Sequence, residues 1–514
     1  MLVLAALSLP VGAQRGGNRG GPPPAEATPA TPPKLEDKTV KTEHSISVNG
    51  QTLKYTAVAG TLVLRKEDGT ATASIFYTAY TKDDVADLSK RPITFAFNGG
   101  PGSSSVWLHL GSLGPKRVVL DPDGKPLPPP YQFADNPYTL LDHTDLVFID
   151  PVSTGYSRAA VESEARNFHS LKGDVDSVGE FIRLYTSRNA RWDSPKFLAG
   201  ESYGTTRAAA LSGHLQDSLG INLNGIVLMS SVLDFQTIRD DAGNDLPYAL
   251  YVPTYTAAAW YHKKLPKDLQ AAGLQKALDE SKRFASGAYT LALFKGDSIS
   301  AEERATTVKN LSRLTGLSPQ FIEACNLRVE PGRFRKELLR EQRRSLGRYD
   351  SRLEGVEEDA ASDRPDYDAS YASVQGAFTA AWNQYVHTEL KYESDLPYEV
   401  LTDRVQPWSF QGYENRYVNV AETLKDAMTQ NTGLRVFVAN GYYDLATPFL
   451  ATEYTFNHML LDPKLRDHVS MGFYEAGHMM YTQLKSLEKL KQDISNFMAA
   501  ALPATSSPSS PAAQ

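Results

Sequence analysis

Phe197-Leu198-Ala199-Gly200-Glu201-Ser202-Tyr203-Gly204-Thr205 is a short apolar run, then Gly-x-Ser-x-Gly, then residues that open a helix. Strand, tight turn and helix in that order form a nucleophile elbow, which lifts a serine hydroxyl above the end of a sheet. Gly200 and Gly204 suit a turn too tight for side chains at those positions. The helix, predicted from Thr205, brings free N–H groups and the positive end of its dipole beside the serine. A bare Gly-x-Ser-x-Gly also arises by chance. The flanking strand and helix separate this one from such coincidences.

Outward from the elbow the same rhythm repeats. Pro92-Ile93-Thr94-Phe95-Ala96-Phe97 and Asp145-Leu146-Val147-Phe148-Ile149-Asp150 precede it, and Gly225-Ile226-Val227-Leu228-Met229-Ser230 follows. These runs lack polar alternation, as strands covered on both faces do. Leu171, Val175, Val178, Ile182 and Tyr185 recur at three-to-four spacing and predict a helix over residues 167–185. Strands alternating with helices predict an α/β fold: a mostly parallel sheet with helices on both faces. Residues 39–81 alternate instead, with Asn49-Gly50 and Asp68-Gly69 as turns, and predict an antiparallel edge.

Beyond residue 233 the strands give way to helical patterns over residues 269–284, 301–314 and 319–325. The sheet resumes over residues 434–439 and 469–474, and an amphipathic helix over 484–498 closes it. The expected organisation is a core of residues 39–233 and 409–502, interrupted by a helical cap of residues 234–408. Tyr248, Tyr251, Tyr255, Trp260 and Tyr261 in the cap fit a substrate pocket or a packed core equally well. Arg333, Arg335, Lys336, Arg340, Arg343 and Arg344 read as a solvated basic helix face. The acidic residues 354–368 lack the spacing of a calcium loop and read as a surface loop.

The 514 residues, 41% of them hydrophobic, allow a large core. A net charge of −7 lacks the basic footprint of a nucleic-acid binder. A single cysteine, Cys325, excludes an intrachain disulfide and a zinc site built from several cysteines. Its helix-like surroundings predict a buried, inert thiol. Residues 1–11 are apolar and Val11-Gly12-Ala13 resembles a small-residue cleavage site, so residues 1–13 read as the end of a secretory leader without its basic region. Export to a periplasm or the exterior is the expectation. Residues 14–38, rich in Gly, Pro and Ala, and residues 503–514, rich in Ser, Pro and Ala, read as a disordered linker and tail. No later apolar run is long enough to span a bilayer.

Two late strands end in Asn440-Gly441-Tyr442-Tyr443-Asp444 and Glu475-Ala476-Gly477-His478. Ser202, Asp444 and His478 thus close three strands, in the chain order of an α/β-hydrolase triad. Sites on open parallel sheets gather at the carboxyl ends of the strands, so distant residues converge there. Serine is a poor nucleophile until an imidazole takes its proton, and a carboxylate fixes the imidazole tautomer. Of ten histidines, His478 alone follows a late apolar strand directly behind a glycine; His468 precedes that strand and is the weaker candidate. Asn98-Gly99-Gly100-Pro101-Gly102-Ser103-Ser104-Ser105 follows a buried strand. No Gly-Lys-Ser/Thr follows, which excludes a phosphate loop and leaves an oxyanion hole.

Those blocks, with Asn136-Pro137-Tyr138, Phe148-Ile149-Asp150-Pro151 and Gly477-His478-Met479-Met480, resemble the serine carboxypeptidases over residues 39–498. The resemblance implies an α/β-hydrolase fold with a helical cap, removal of C-terminal residues from peptides with a free C-terminus, an acidic optimum, and no metal or cofactor. It makes Ser202 the nucleophile, His478 the base and Asp444 its orienter. Gly100 and Tyr203 would supply oxyanion N–H groups. Asn98, Gly99 and Glu201 would hold the substrate's terminal carboxylate. Glu201 fits that role only when protonated, because two facing carboxylates do not both ionise cheaply. Relatives carry Cys where Ser103 stands, Trp where Ala96 stands, and a second glutamate where Ser112 stands. The last change predicts a weaker or upward-shifted acidic optimum. Esterase or acyltransferase chemistry on the same scaffold is the alternative. A non-catalytic binding protein is disfavoured by the complete triad.

Overall fold

The computed structural model describes residues 35–502. The expected leader, linker residues 14–34 and the tail lie outside the described residues. Ten strands form one sheet: β1 (Lys38–Val48), β2 (Gln51–Arg65), β3 (Ala71–Lys82), β4 (Ile93–Phe97), β5 (Asp145–Ile149), β6 (Arg158–Ala159), β7 (Lys196–Glu201), β8 (Gly225–Met229), β9 (Arg435–Gly441) and β10 (Val469–Tyr474). Their order is β1-β2-β3-β5-β4-β7-β8-β9-β10, with β6 paired to β3. The six strands from β5 to the β10 edge are parallel, and β1, β2, β3 and β6 form the antiparallel part. This is an α/β-hydrolase fold.

Every residue of β4, β5, β7 and β8 is buried, as their unbroken apolar runs require. Phe95, Phe97, Leu198 and Leu228 point to one face, where α1 (Leu171–Arg188) and α2 (Tyr203–Leu219) cover them. α1 begins four residues later than the spacing predicts, because Ser170 caps it through a bond from Gly173 N. Ala96, Phe148, Ala199 and Val227 point to the other face.

After β8 come α3 (Leu246–Tyr261), α4 (Leu274–Phe284), α5 (Ala301–Thr315) and α6 (Pro331–Glu337). The single helix expected over residues 269–284 is two, broken at Gly273 with φ +89°. These helices bury an apolar cluster of their own, in which Tyr255 stacks on Phe334 with centroids 4.0 Å apart. Tyr251 and Tyr255 therefore belong to a packed core. α7 (Ala369–Thr388), within the same expected insertion, instead buries Phe378, Trp382 and Tyr385 beneath the sheet. There it meets α8 (Leu484–Ala501), whose Leu487, Leu490 and Ile494 follow the predicted spacing. Cys325 is buried in the cluster of α3–α6, and burial pushes its thiol pKa up. Among the described residues no helix is long and apolar enough to cross a membrane.

The basic run departs from the expected solvated helix. α6 ends at Glu337, and Arg344–Leu346 pairs with Glu354–Val356 as a short ribbon. The ribbon folds the acidic run back onto the basic one. Lys336 and Glu357, each 1% exposed, form an ion pair. Arg335 faces Asp368 at 3.6 Å, Arg333 faces Asp363 at 3.5 Å, and Arg340 donates to the Ala360 carbonyl. Helical spacing alone does not reveal this, because the partners lie 20 to 33 residues away in sequence. Removing one partner of a buried pair strands the other charge. Lys336→Met is expected to lower the unfolding free energy by ~3 kcal/mol in a denaturant titration. The double variant Lys336→Met/Glu357→Leu should recover most of that loss.

Candidate active site

β7 delivers Glu201 and Ser202 to the carboxyl edge of the sheet. Ser202 has φ +59° and ψ −131°, a strained backbone for a residue with a side chain. The surrounding bonds hold it there. Ser202 N donates to Met229 O at the end of β8 (3.0 Å), and Thr205 N donates to Ser202 O (2.8 Å). A Cβ on Gly200 would strike the Gly204 carbonyl, and one on Gly204 would lie 2.8 Å from Phe97 O. α2 starts at Tyr203 because Ser202 is itself the residue that precedes the first turn. As the first helical residue, Tyr203 has no acceptor for its N–H inside the helix.

Asn98 leaves β4 directly beside this turn. A Cβ on Gly99 would collide with the Tyr203 and Gly204 amide nitrogens, so only glycine lets the loop approach. Gly100 follows with φ +99°. Ser105 donates both N–H and Oγ to Asp150 Oδ1, at 2.8 Å each. Arg207 Nη1 donates to Asn98 O (2.6 Å), while its Nε pairs with Asp174 (2.8 Å), and all three residues are buried. Ser103 Oγ accepts from Trp107 Nε1 (3.0 Å), and Ser103 pairs as a β-bridge with Leu401. Main-chain pairing thus ties the loop to residues 400–402.

β9 and β10 supply the other two predicted side chains. His478 Nδ1 and Asp444 Oδ2 are 2.7 Å apart. Asp444 Oδ1 accepts from Ala446 N (2.8 Å) and Thr447 N (3.0 Å), and Oδ2 also accepts from Thr447 Oγ1 (2.6 Å). Burial favours neutral His478, but the Asp444 charge and bond outweigh it, so the imidazole pKa lies above its ordinary 6.5. Ser202 and His478 line the same cleft, without a hydrogen bond between them among the described residues. His468 lies at the opposite end of β10, with Nδ1 3.3 Å from Leu434 O.

Asn98 Nδ2 donates to Glu201 Oε1 (2.9 Å), and Asn98 Oδ1 accepts from Leu108 N (3.0 Å), which fixes the amide orientation. Burial pushes the Glu201 pKa up to about 7, against the His478 charge and its hydrogen bonds. Glu201 Oε2 has no hydrogen-bond partner of good geometry. The Tyr481 hydroxyl next to it is also buried and equally unpartnered. The Tyr481 ring lies where a Cβ on Gly111 would be, so Gly111 leaves the room that this ring fills.

Ser202, Asp444, His478, Gly100, Tyr203, Asn98, Gly99 and Glu201 therefore meet around one cleft or directly behind it. Trp107, Tyr371, Leu401 and Met479 form its apolar wall, and Arg348 and Tyr349 complete it. Sequence reasoning missed Arg348, Tyr481 and the Arg207–Asp174 pair. Arg207 carried a signal: it is a lone arginine in the small-residue stretch Thr205-Thr206-Arg207-Ala208-Ala209 of the helix that follows Ser202.

The serine carboxypeptidase family model matches residues 50–491. The pheromone-processing carboxypeptidase KEX1 of Yarrowia lipolytica is 31% identical over 150 residues, 29% of this chain and 23% of that protein. Serine carboxypeptidase-like 36 of Arabidopsis thaliana is 28% identical over 176 residues, 33% of this chain and 34% of that protein. The chain thus spans about a quarter to a third of the length of these curated relatives. The crystal structure of KEX1Δp, a prohormone-processing carboxypeptidase from Saccharomyces cerevisiae, superposes with a TM-score of 0.52. That match has 18% identity and covers 86% of this chain and 91% of the other.

Proposed function

Because this chain belongs to the serine carboxypeptidase family, we propose that it removes C-terminal amino acids from peptides through an acyl-enzyme on Ser202. The observation that carries this reading is the Asn98–Glu201 pair, 2.9 Å apart and buried beside the nucleophile. An esterase has no use for a carboxyl group kept near half-protonation at neutral pH, whereas a terminal carboxylate pairs with such a group through its proton.

In the proposed reaction, Asn98 and protonated Glu201 hold the α-carboxylate of the terminal residue, with Gly99 against it. Ser202 Oγ attacks the carbonyl of the penultimate residue as His478 Nε2 takes its proton. Asp444 holds Nδ1–H and stabilises the imidazolium. The Gly100 and Tyr203 N–H groups receive the developing oxyanion at the start of α2. His478 returns the proton to the leaving amine. Water then attacks the ester, His478 acts again as base, and Ser202 is restored. Within residues 234–408, helices α3–α6 act as the cap over this cleft, and the apolar residues 1–11 make export part of the proposal.

Digestion of a peptide mixture, read by mass, tests the reading. Free C-termini should be trimmed one residue at a time, and the same peptides with C-terminal amides should resist. Cleavage of a small ester with no trimming of any peptide would favour the esterase alternative instead.

A further inference from the structure

The segment between the ribbon strand Arg344–Leu346 and α7 carries Arg348 and Tyr349 into the catalytic cleft. Its main chain is fixed on three sides. Arg348 N donates to Asp368 Oδ1 (2.9 Å), Tyr349 N to Ser370 Oγ (2.9 Å), and Leu445 N to Arg348 O (3.0 Å). Tyr349 O accepts the His478 N–H. The Arg348 side chain is not tied in this way. Among the described residues its guanidinium forms no ion pair and donates no hydrogen bond, and it rests 5.5 Å from the Tyr349 ring centroid. It is open to the cleft, although protein surrounds it on most sides. Its neighbours in the basic run differ, since Arg333, Arg335, Lys336 and Arg340 all meet carboxylates of this chain. A guanidinium that faces a cleft with its N–H groups unbonded offers them to an anion that enters from outside.

Position decides which anion. The main chain of Arg348 and Tyr349 is bonded to Leu445 N, beside Asp444, and to His478 N. Arg348 therefore enters the cleft from the His478–Asp444 side, and the Asn98–Glu201 pair lines the same cleft. The leaving residue must lie on the His478 side, because its amine takes the proton from Nε2. With its α-carboxylate at Asn98 and Glu201, its side chain is the part left to face Arg348. The nearby carboxylate of Asp368 is already taken by Arg348 N, Ser370 N and Ser370 Oγ.

We infer that Arg348 selects substrates whose C-terminal residue is aspartate or glutamate, holding the side-chain carboxylate by paired N–H bonds. This deepens the carboxypeptidase reading and rests on it. The test uses N-blocked dipeptides with phenylalanine in the penultimate place and Glu, Gln, Leu or Lys at the C-terminus. The wild type should prefer Glu over Gln by about tenfold or more in kcat/KM, the size of a charge-assisted hydrogen bond. Arg348→Gln should lower the Glu rate at least tenfold more than the Leu rate, Arg348→Lys should retain part of the preference, and Arg348→Glu should move it to Lys. Equal loss across all peptides would overturn the inference, since it would place Arg348 on the α-carboxylate or in a structural role. Leu and Gln trimmed as readily as Glu would overturn it while leaving the carboxypeptidase reading intact. No release from any peptide would overturn both.

Discussion

Ser202→Ala is expected to lower kcat for peptide trimming by about a millionfold, to the level that the oxyanion site and binding alone provide. The fold should survive, because the strained turn is held by Met229 O, Gly200 and Gly204 rather than by the serine hydroxyl. Circular dichroism and the melting curve should match the wild type. A serine-directed phosphonate should label the wild type with a mass increment on the peptide containing Ser202 and leave the variant unlabelled. Asp444→Asn is a finer probe. Asp444 Oδ1 accepts two main-chain N–H groups, so the amide oxygen must stay there. The NH2 is then forced toward Nδ1 of His478, which must become an acceptor. The imidazole is left with its proton on Nε2, facing Ser202, and cannot act as base. A loss of ~10⁴-fold with unchanged folding is expected. Retained activity in Ser202→Ala would sink the acyl-enzyme mechanism.

What sequence could reveal follows from which interactions are local. The parallel strands were legible because burial on both faces leaves unbroken apolar runs, as in Ile93–Phe97 and Asp145–Ile149. Ser202, Asp444 and His478 were legible as candidates because each sits at or just past the end of such a run, and their chain order suggested the proposed roles. The pairing of the basic run was not legible, for the opposite reason. Lys336 and Glu357 neutralise each other only because a ribbon folds one run over the other, and composition carries no record of that contact. Arg348 was invisible in the same way. It lies just past the basic stretch in sequence, and only the fold shows that Arg335 and Lys336 are paired while Arg348 faces the cleft. Tyr481 lies three residues past His478, yet its importance depends on Gly111, a position far away in the chain.

Glu201 joins these threads, because in the proposed reaction its proton binds substrate, and it contributes to stability as well. Its pKa rises on folding from the ordinary 4.5 to about 7, with burial as the main cause. Between those two values the native state binds a proton that the unfolded chain has released. For this group stability is therefore greatest below pH 4.5 and declines as pH rises to about 7. At about 1.4 kcal/mol per pH unit, the full cost above pH 7 is about 3 kcal/mol. Glu201→Gln should remove it, so the variant should melt higher than the wild type at pH 8 and show no gain at pH 4. Kinetics should change in step. The wild type needs Glu201 protonated and His478 neutral, and each side chain feels the other's charge. Its kcat/KM profile should be a narrow bell near neutral pH, whose limbs belong to the pair. In Glu201→Gln the amide keeps a neutral donor where Glu201 Oε2 lies, while its oxygen still accepts from Asn98. The alkaline limb should flatten, so that at pH 9 the variant exceeds the wild type by ~10–100-fold on free-carboxylate substrates, about one decade per pH unit above 7. The acid limb should move down, because the glutamate charge that raises His478 is gone. Glu201→Ala leaves neither donor nor acceptor and should lose ~100-fold even at low pH. Tyr481→Phe removes the hydroxyl that favours the ionised carboxylate and should shift the alkaline limb upward. Superimposable profiles for Glu201→Gln and the wild type would show that the limb belongs to another group, and the carboxylate site would have to be placed elsewhere in the cleft.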